Sequence, residues 1–288
     1  RKIIMEKTWS WSVTGGQFEG KSHQEITELC HAAGLSGIEG GSSLFDRYSE
    51  AELEEIGKHY RDAGISIQTY HLPFSAHEDI ANFYETVRRE AVNVALRSME
   101  RSTILGSTVG IQHPNTSRFG VEVEGIDNYF RQLGKSLDTL LPAAEKLNYT
   151  IAIENMLPAP GVRFGSIPEH FERILKEFDH PSLGFCLDTG HALVAMGLEQ
   201  AHEVFEAMAP KLVAFHLADN AGDRDSHLAP GHGLVDWNRV FRKAAEIDFT
   251  RNACIETAPF APGPNYSLEA YQQMVTEADA LVEKALAD

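Results

Sequence analysis

Cysteine and long apolar runs are scarce in this sequence, and each scarcity excludes a class of protein. Three cysteines, Cys30, Cys186 and Cys254, occur among 288 residues. They are too few and too scattered for a disulfide framework. No stretch reaches the roughly 18 consecutive apolar residues of a membrane-spanning helix, and no secretory leader opens the sequence. We therefore expect reduced, buried thiols in a cytoplasmic protein with no membrane partner.

Positive charge is also in deficit. The sequence has 25 Lys and Arg residues against 42 Asp and Glu residues, a formal net charge of −17. Because a nucleic-acid-binding surface needs clustered cations to neutralise phosphates, this composition predicts that nucleic acid is not a partner. No glycine-rich loop with a lysine opens a helix late in the chain, as a phosphate-binding cradle would require. The expected substrate is therefore a small molecule without a phosphate group.

The sequence alternates regularly between short apolar runs and patterns typical of amphipathic helices. Short apolar runs occupy residues 3–12, 37–41, 65–74, 108–115, 150–156, 183–190, 212–220 and 252–259. Patterns typical of amphipathic helices lie between and after them, at 22–34, 49–64, about 80–105, 126–148, 167–178, 198–210, 237–247 and 267–286. Eight strand–helix units predict an α/β fold, a (β/α)8 TIM barrel. No linker-like segment divides the chain, so we expect a single domain over residues 1–288. The alternative, a doubly wound open sheet, is disfavoured by the eightfold count.

Four consecutive apolar runs each end on an ionisable residue: Glu154, Asp188, His216 and Glu256. In a barrel, the carboxyl ends of the strands converge on the active site. Side chains alternate along a strand, so the residue two positions before each of the four shares its face. Those residues are small: Ala152, Cys186, Ala214 and Cys254. The pattern therefore predicts a cluster of ligands above a narrow interior.

Three carboxylates cannot share a dry site without a compensating cation. Three carboxylates and one imidazole suit Mn²⁺, Co²⁺, Mg²⁺ or Zn²⁺. Taken singly, each of these residues is better interpreted as an ordinary polar strand end. Their parallel placement favours a site for one divalent ion.

Other candidate side chains belong to the same end of the barrel. His71 and His113 end the third and fourth runs, and the loop at 219–237 is long and rich in glycine, as functional loops are. Trp9 and Phe74, near the ends of runs one and three, are candidates for stacking on a sugar, with plain core packing as the alternative for Trp9. Glu39 is expected either to bind substrate hydroxyls or to be solvated.

The motifs at these strand ends resemble a known superfamily. They are E-N-M (154–156), L-D-T-G-H (187–191), F-H-L-x-D (215–219), D-R-D-x-H-x-x-P-G-x-G (223–233) and I-E-T (255–257). This set resembles the xylose isomerase-like TIM-barrel superfamily, which includes sugar isomerases and epimerases, inosose dehydratase-like proteins and endonuclease IV-type AP endonucleases. The resemblance implies that Glu154, Asp188, His216 and Glu256 bind the metal. It also implies that His191 and Arg224 contact substrate oxygens, and that His71, His113 and His227 serve substrate hydroxyls.

The sugar-enzyme branch implies one metal ion, with Mn²⁺ the expected species, and a homo-oligomer. By resemblance, Glu154 and Glu256 form the acid/base pair that exchanges a proton next to a carbonyl through a metal-bound cis-enediolate. The physical logic is that a chelated carbonyl stabilises enolate charge while a carboxylate serves each face. The expected function is a sugar isomerase or epimerase.

Three alternatives share this site. A sugar or cyclitol dehydratase or lyase, such as an inosose or 3-dehydroshikimate dehydratase, would begin with the same proton abstraction and expel a β-hydroxyl. An endonuclease IV-type phosphodiesterase would bind three zinc ions, with the extra ligands falling on His71, His113, His191, Asp225 and His227. The acidic composition weighs against that nuclease. A non-catalytic binding subunit is the third alternative, and the complete ligand set disfavours it.

Overall fold

Eight parallel strands form the centre of the molecule. The computed structural model describes residues 9–116, 119–257 and 267–287. The strands are β1 (Trp11–Thr14), β2 (Gly37–Glu39), β3 (Thr69–His71), β4 (Val109–Gln112), β5 (Thr150–Glu154), β6 (Leu183–Asp188), β7 (Leu212–Leu217) and β8 (Ala253–Ile255). Their spatial order is β2-β1-β8-β7-β6-β5-β4-β3. Parallel bridges from Gly37 to Ser66 and from Gly40 to Tyr70 join the two outer strands, so the barrel is nearly closed.

Helices follow the strands and surround this barrel. They are α1 (His23–Ala33), α2 (Ser42–Phe45), α3 (Glu50–Asp62), α4 (Glu85–Leu105), α5 (Val121–Glu124), α6 (Ile126–Lys146), α7 (Pro168–Glu177), α8 (Thr189–Met208), α9 (Trp237–Glu246) and α10 (Leu268–Ala287). Capping boxes begin α1 and α3, where Ser22 pairs with Glu25 and Ser49 with Glu52. The predicted (β/α)8 barrel is confirmed. None of the helices in the described ranges has the length and hydropathy needed to cross a bilayer.

Two predicted boundaries differ from the structure. The first strand runs from Trp11 to Thr14 rather than ending at residue 12, and residues 1–8 of the predicted run lie outside the described residues. Helix α8 begins at Thr189, directly after β6, because the Asp188 side chain accepts a hydrogen bond from the His191 backbone N–H and caps it. A break at Gly197, where φ is 75°, separates this first part from the helix predicted at 198–210.

The predicted alternation of side chains along the strands is confirmed. Large residues such as Ile151, Ile153 and Phe185 pack in the main core, which includes the apolar faces of the helices. A separate small cluster contains Val109, Ile111, Ala152, Cys186 and Ala214, residues of the inward face. All three cysteines are buried and free, as expected. Small side chains in the barrel interior leave room for the polar residues at its carboxyl end.

Candidate metal centre

The four residues at the ends of β5 to β8 converge on one point. Glu154 ends β5, Asp188 ends β6, His216 lies near the end of β7, and Glu256 directly follows β8. One ligand atom from each lies within 4.8 Å of the corresponding atoms of the other three. Glu154, Asp188 and His216 are buried, whereas the Glu256 side chain retains 21% of its exposure. The structure thus brings together the cluster that the strand pattern predicts.

His216 lies at the centre of the cluster and contacts carboxylates on both ring nitrogens. Its Nδ1 lies 3.1 Å from Glu154 Oε1 and 3.0 Å from Glu256 Oε2. Its Nε2 lies 3.1 Å from Glu39 Oε1, on the other side of the ring. Glu39 is only 2% exposed, so the expectation that it is solvated is wrong. Strand β2 is short, and its last side chain points inward beneath the mouth.

A buried carboxylate oxygen without a partner and the crowding of carboxylates are the features of the cluster that suit a cation. Asp188 Oδ2 is buried and accepts no hydrogen bond from any described residue. Burial, with the Glu256 and Glu154 carboxylates nearby, raises the pKa of Asp188 to about 7. Burial opposes ionisation of Glu256, but His216 holds its pKa at about 2. Closely spaced carboxylates, one of which has an oxygen that accepts no hydrogen bond, fit a divalent ion that takes oxygen ligands and one imidazole.

A second group adjoins the first through Glu154. The ligand atoms of His71, His113 and Glu154 also lie within 4.8 Å of one another. His113 Nε2 is 3.1 Å from Glu154 Oε2, and His71 Nε2 is 3.6 Å from the same oxygen. His71 Nδ1 lies 2.9 Å from the Leu72 carbonyl oxygen. Because a carbonyl only accepts, Nδ1 carries the hydrogen. Burial opposes protonation of the ring, but the Glu154 carboxylate facing Nε2 outweighs it and raises the pKa of His71.

A third group joins the end of β6 to the loop after β7. Asp225 Oδ2 lies 3.6 Å from His191 Nε2 and 2.9 Å from His227 Nε2. The Nδ1 atoms of these rings lie 2.8 Å from the carbonyl oxygens of Asn155 and Glu256, respectively, and donate to them. Burial opposes protonation of His191, but Asp188 and Asp225 raise its pKa to about 10. The hydrogen bond to Asp225 raises the pKa of His227 to about 9, so this group is a charge-paired chain.

The remaining predicted site residues have different surroundings. Phe74 is 52% exposed, and its ring centroid lies 4.6 Å from that of His71 and 4.4 Å from that of His113. Arg224 is exposed on the loop after β7. Both therefore remain candidates for substrate contact, Phe74 beside the cluster and Arg224 above it.

Trp9 requires a correction. Its ring lies 5.0 Å from Phe241 on α9 and 5.7 Å from Trp11, in an aromatic group that also includes Phe249. Because β1 ends at Thr14 and not at residue 12, Trp9 precedes the strand and lies at the opposite end of the barrel from the metal centre. It packs in the core and does not reach a substrate at the mouth.

Two structural supports of the site were not assigned from the sequence. The Asn155 amide accepts from Asp188 N at 2.7 Å and donates to Asp188 O at 2.8 Å, which ties the ends of β5 and β6 together. Asp219, fully buried, accepts hydrogen bonds from Gly231 N, Val235 N and Trp237 Nε1 and so shapes the loop after β7. Both residues belong to the motifs noted above. In the sequence, each is a polar residue one or two positions after a buried strand, and this placement could have indicated a role at the site.

Comparison with known proteins agrees with this architecture. An uncharacterised protein of Methanocaldococcus jannaschii is 30% identical over 221 residues, which cover 74% of this chain and 73% of that protein. The structure of a D-tagatose 3-epimerase-like protein matches with a TM-score of 0.79 at 23% identity, over 96% of this chain and 98% of its own. The zinc-bound IolI protein matches with a TM-score of 0.71 at 19% identity, over 97% and 100% of the two chains.

At these identities, the structural likeness establishes a shared fold. Further structures of this fold are sugar epimerases. The family model described as xylose isomerase-like TIM barrel matches residues 27–276, most of the chain. The resemblance in the strand-end motifs is therefore confirmed at the level of the family. On this match and on the eight-stranded barrel, the chain belongs to the xylose isomerase-like TIM-barrel family.

Proposed function

We propose that this protein is a divalent-metal-dependent isomerase or epimerase of a sugar without a phosphate group. In this proposal Glu154, Asp188, His216 and Glu256 hold one ion, for which their oxygen-rich donor set favours Mn²⁺. Glu154 and Glu256 form the acid/base pair. The sugar epimerases that share the fold support the substrate class.

The placement of the two glutamates is the observation that carries the proposal. Glu154 Oε1 and Glu256 Oε2 both approach His216 Nδ1, at 3.1 and 3.0 Å. They come from β5 and β8, between which β6 and β7 lie in the sheet. Two carboxylates that reach one point from separate strands can flank a substrate carbon, so that one removes a proton and the other returns it.

In this proposal, the ion and the surrounding side chains have different roles in proton transfer. A bound divalent ion supplies Lewis acidity that favours enolate charge on the substrate. His216 and His113 outweigh the effect of burial and hold the pKa of Glu154 well below its ordinary value, so it is ionised near neutral pH, as Glu256 is. An ionised carboxylate is the state that a general base requires. His191, with its raised pKa, is positioned to donate a hydrogen bond to a substrate oxygen.

Solvent deuterium incorporation tests this function. Protein purified without chelator or nickel affinity resin is incubated with ketoses in D₂O, and the carbons next to the carbonyl are monitored by NMR. We expect about one divalent ion per chain and deuterium at one such carbon, with recovery of an isomer or epimer. An unsaturated or deoxy product would reassign the protein to the dehydratase alternative. Absence of exchange with every ketose and sugar acid tried would refute proton transfer.

One observation favours a second candidate, a trinuclear-zinc phosphodiesterase. His71, His191 and His227 each donate Nδ1–H to a backbone carbonyl, and this contact fixes the ring of many metal-binding histidines. About three zinc ions per chain, with loss of one in His71→Ala, would favour this candidate. Hydrolysis of a phosphodiester would then be the activity to measure. The net charge of −17 disfavours a duplex substrate.

A further inference from the structure

A groove leads away from the metal centre on the side of β1 to β3. It forms one continuous cavity of about 730 Å³ that begins at Glu256, Glu39 and His71. It passes the turn after β2, at Gly41, and ends beside Arg97 and Arg101 of α4. Of the four residues of the candidate metal site, Glu256 lines this cavity, so the site adjoins its near end.

The volume exceeds what one sugar ring needs. A hexose has about 12 non-hydrogen atoms and fills at most roughly 360 Å³, even at the generous allowance of about 30 Å³ that each water takes in the liquid. The cavity of about 730 Å³ therefore has room for a ligand about twice that size. Pockets of this size are ordinary for ligands larger than a monosaccharide.

The lining of the groove suits a neutral ligand with many hydroxyls. At its far end, the guanidinium groups of Arg97 and Arg101 are matched by the carboxylates of Asp46 and Glu78, so charge is balanced and a phosphate or carboxylate gains no net attraction. Each guanidinium uses one Nη2 atom in a hydrogen bond, to Glu90 Oε1 and to the Tyr48 carbonyl oxygen. Each retains other N–H donors, and sugar hydroxyls both donate and accept.

The near end of the groove offers a different surface. Phe74 lines the cavity and is 52% exposed. An exposed aromatic ring beside a metal centre can pack against the C–H face of a sugar ring. The apolar contact and the polar far end thus lie along one path that starts at the metal.

We propose that the groove is a second-ring subsite, and that the substrate is a glycoside or disaccharide. The reacting ring lies at the metal centre against Phe74, and the second ring lies between the turn after β2 and α4. Arg97, Arg101, Asp46 and Glu78 bind its hydroxyls. This inference rests on the proposed function for which ring reacts, but occupancy of the groove does not depend on turnover.

Gly41 provides a way to close the groove without disturbing the fold. Its φ of −176° is extended backbone that any residue adopts, and a Cβ built there meets no atom within 4 Å. Gly41→Leu therefore adds bulk to the groove from a Cβ position that meets no other atom. Gly41→Ala is the matched control, since it adds only a methyl group.

Saturation-transfer difference NMR with D-fructose, maltose, cellobiose and lactose tests the subsite. We expect wild type to transfer saturation to both rings of at least one disaccharide. Gly41→Leu should weaken that disaccharide about tenfold or more, with D-fructose unaffected and Gly41→Ala close to wild type. Absence of disaccharide binding, or equal effects of Gly41→Leu on fructose and disaccharide, would overturn the proposal. Failure of the proposed function would instead appear as absence of deuterium exchange while disaccharide binding persists.

A separate observation concerns Glu39, which contacts His216 on the ring nitrogen opposite to the one that faces Glu154 and Glu256. Its carboxylate is buried, and its oxygens lie 3.1 and 3.2 Å from His216 Nε2. A metal-binding histidine commonly donates its other N–H to a carboxylate, which fixes the ring and its tautomer. Here that donation leaves Nδ1 directed at Glu154 and Glu256.

We infer that Glu39 is a positioning residue for His216. Cys254 Sγ also lies within 4.8 Å of Glu39 and His216, so a buried second metal site formed by these three residues is the competing explanation. The two explanations assign opposite roles to Nε2. In the first, Nε2 carries a hydrogen, and in the second it is a ligand.

The zinc-loaded protein distinguishes them. In ¹⁵N spectra, we expect His216 to have a protonated Nε2 and a metal-bound Nδ1. By chelator competition, Glu39→Gln should weaken zinc binding about tenfold and Glu39→Leu about 100-fold. A thiolate charge-transfer band on loading with cadmium, lost in Cys254→Ala, would overturn the inference. Unchanged zinc affinity in both Glu39 variants would overturn it as well.

Discussion

The two halves of the barrel mouth differ in what they present to a ligand. The half formed by β5 to β8 supplies the four ionisable residues of the candidate metal cluster, three of them buried, and contacts such as Asn155 with Asp188 fix their positions. The half formed by β1 to β3 supplies an open groove and the exposed Phe74. The comparison suggests a division of labour, in which one half binds the ion and performs chemistry and the other selects the substrate.

Loss of a ligand from the first half should have the largest effect. Asp188→Asn removes a charge from the cluster, yet asparagine still caps α8, so the fold should survive. We expect divalent metal affinity to fall about 100-fold or more, because the neutral asparagine leaves the ligands with one negative charge fewer to balance the ion. Calorimetric titration measures it, with Asp223→Asn on the exposed loop as control. Retention of wild-type affinity would remove Asp188 from the ligand set.

The acid/base pair should be the next most sensitive. Glu256→Gln should lower turnover about 10²- to 10⁴-fold, the usual contribution of a general acid or base, while circular dichroism shows an intact fold. Exposed Glu283→Gln should have no effect. Activity above about a tenth of wild type would contradict the acid/base role of Glu256. The assignment of chemistry to the β5–β8 half depends on that role.

The charge-paired chain should make the stability of the first half depend on pH. The raised pKa of His227, about 9, means that its pairing with Asp225 stabilises the folded state fully below the ordinary histidine pKa. That contribution is lost as pH rises toward 9. Because His227 is 40% exposed, we expect a loss of only about 0.5–1 kcal/mol. Urea unfolding of metal-free protein between pH 6 and 9 measures it, and His227→Gln should abolish this component.

Phe74→Ala should have the smallest effect on stability and should act on substrate alone. The side chain is half-exposed, so the free energy of unfolding should change by no more than about 0.5 kcal/mol. The KM for a sugar should rise roughly tenfold, the scale of one lost apolar contact, with metal content unchanged. A fall in metal content would show that the two halves are not independent.

The sequence was sufficient for the barrel and for the convergence of four ionisable residues at its carboxyl end, because both follow from periodicity. Strand alternation places Glu154 and Asp188 inward, and a parallel barrel brings its carboxyl ends together. Glu39 could not be assigned, because burial of a strand-end carboxylate depends on a partner 177 residues away in sequence. Trp9 was misplaced because the run at 3–12 did not show where the first strand ends. The burial of Glu39 depends on a long-range pairing, and the position of Trp9 depends on where a strand ends. Neither can be read from the hydrophobic periodicity of the sequence.

Asp188 has one further consequence for the molecule. One carboxylate oxygen begins α8 by accepting the His191 N–H at 2.7 Å, and the other faces the cluster without a partner among the described residues. The same carboxylate therefore interacts with the partial positive charge at the start of α8 through one oxygen and can bind the proposed ion through the other. The break at Gly197 isolates residues 189–196 from the rest of α8. We therefore expect metal loading to increase the protection of the amide protons of residues 189–196 from hydrogen exchange more than that of the rest of α8.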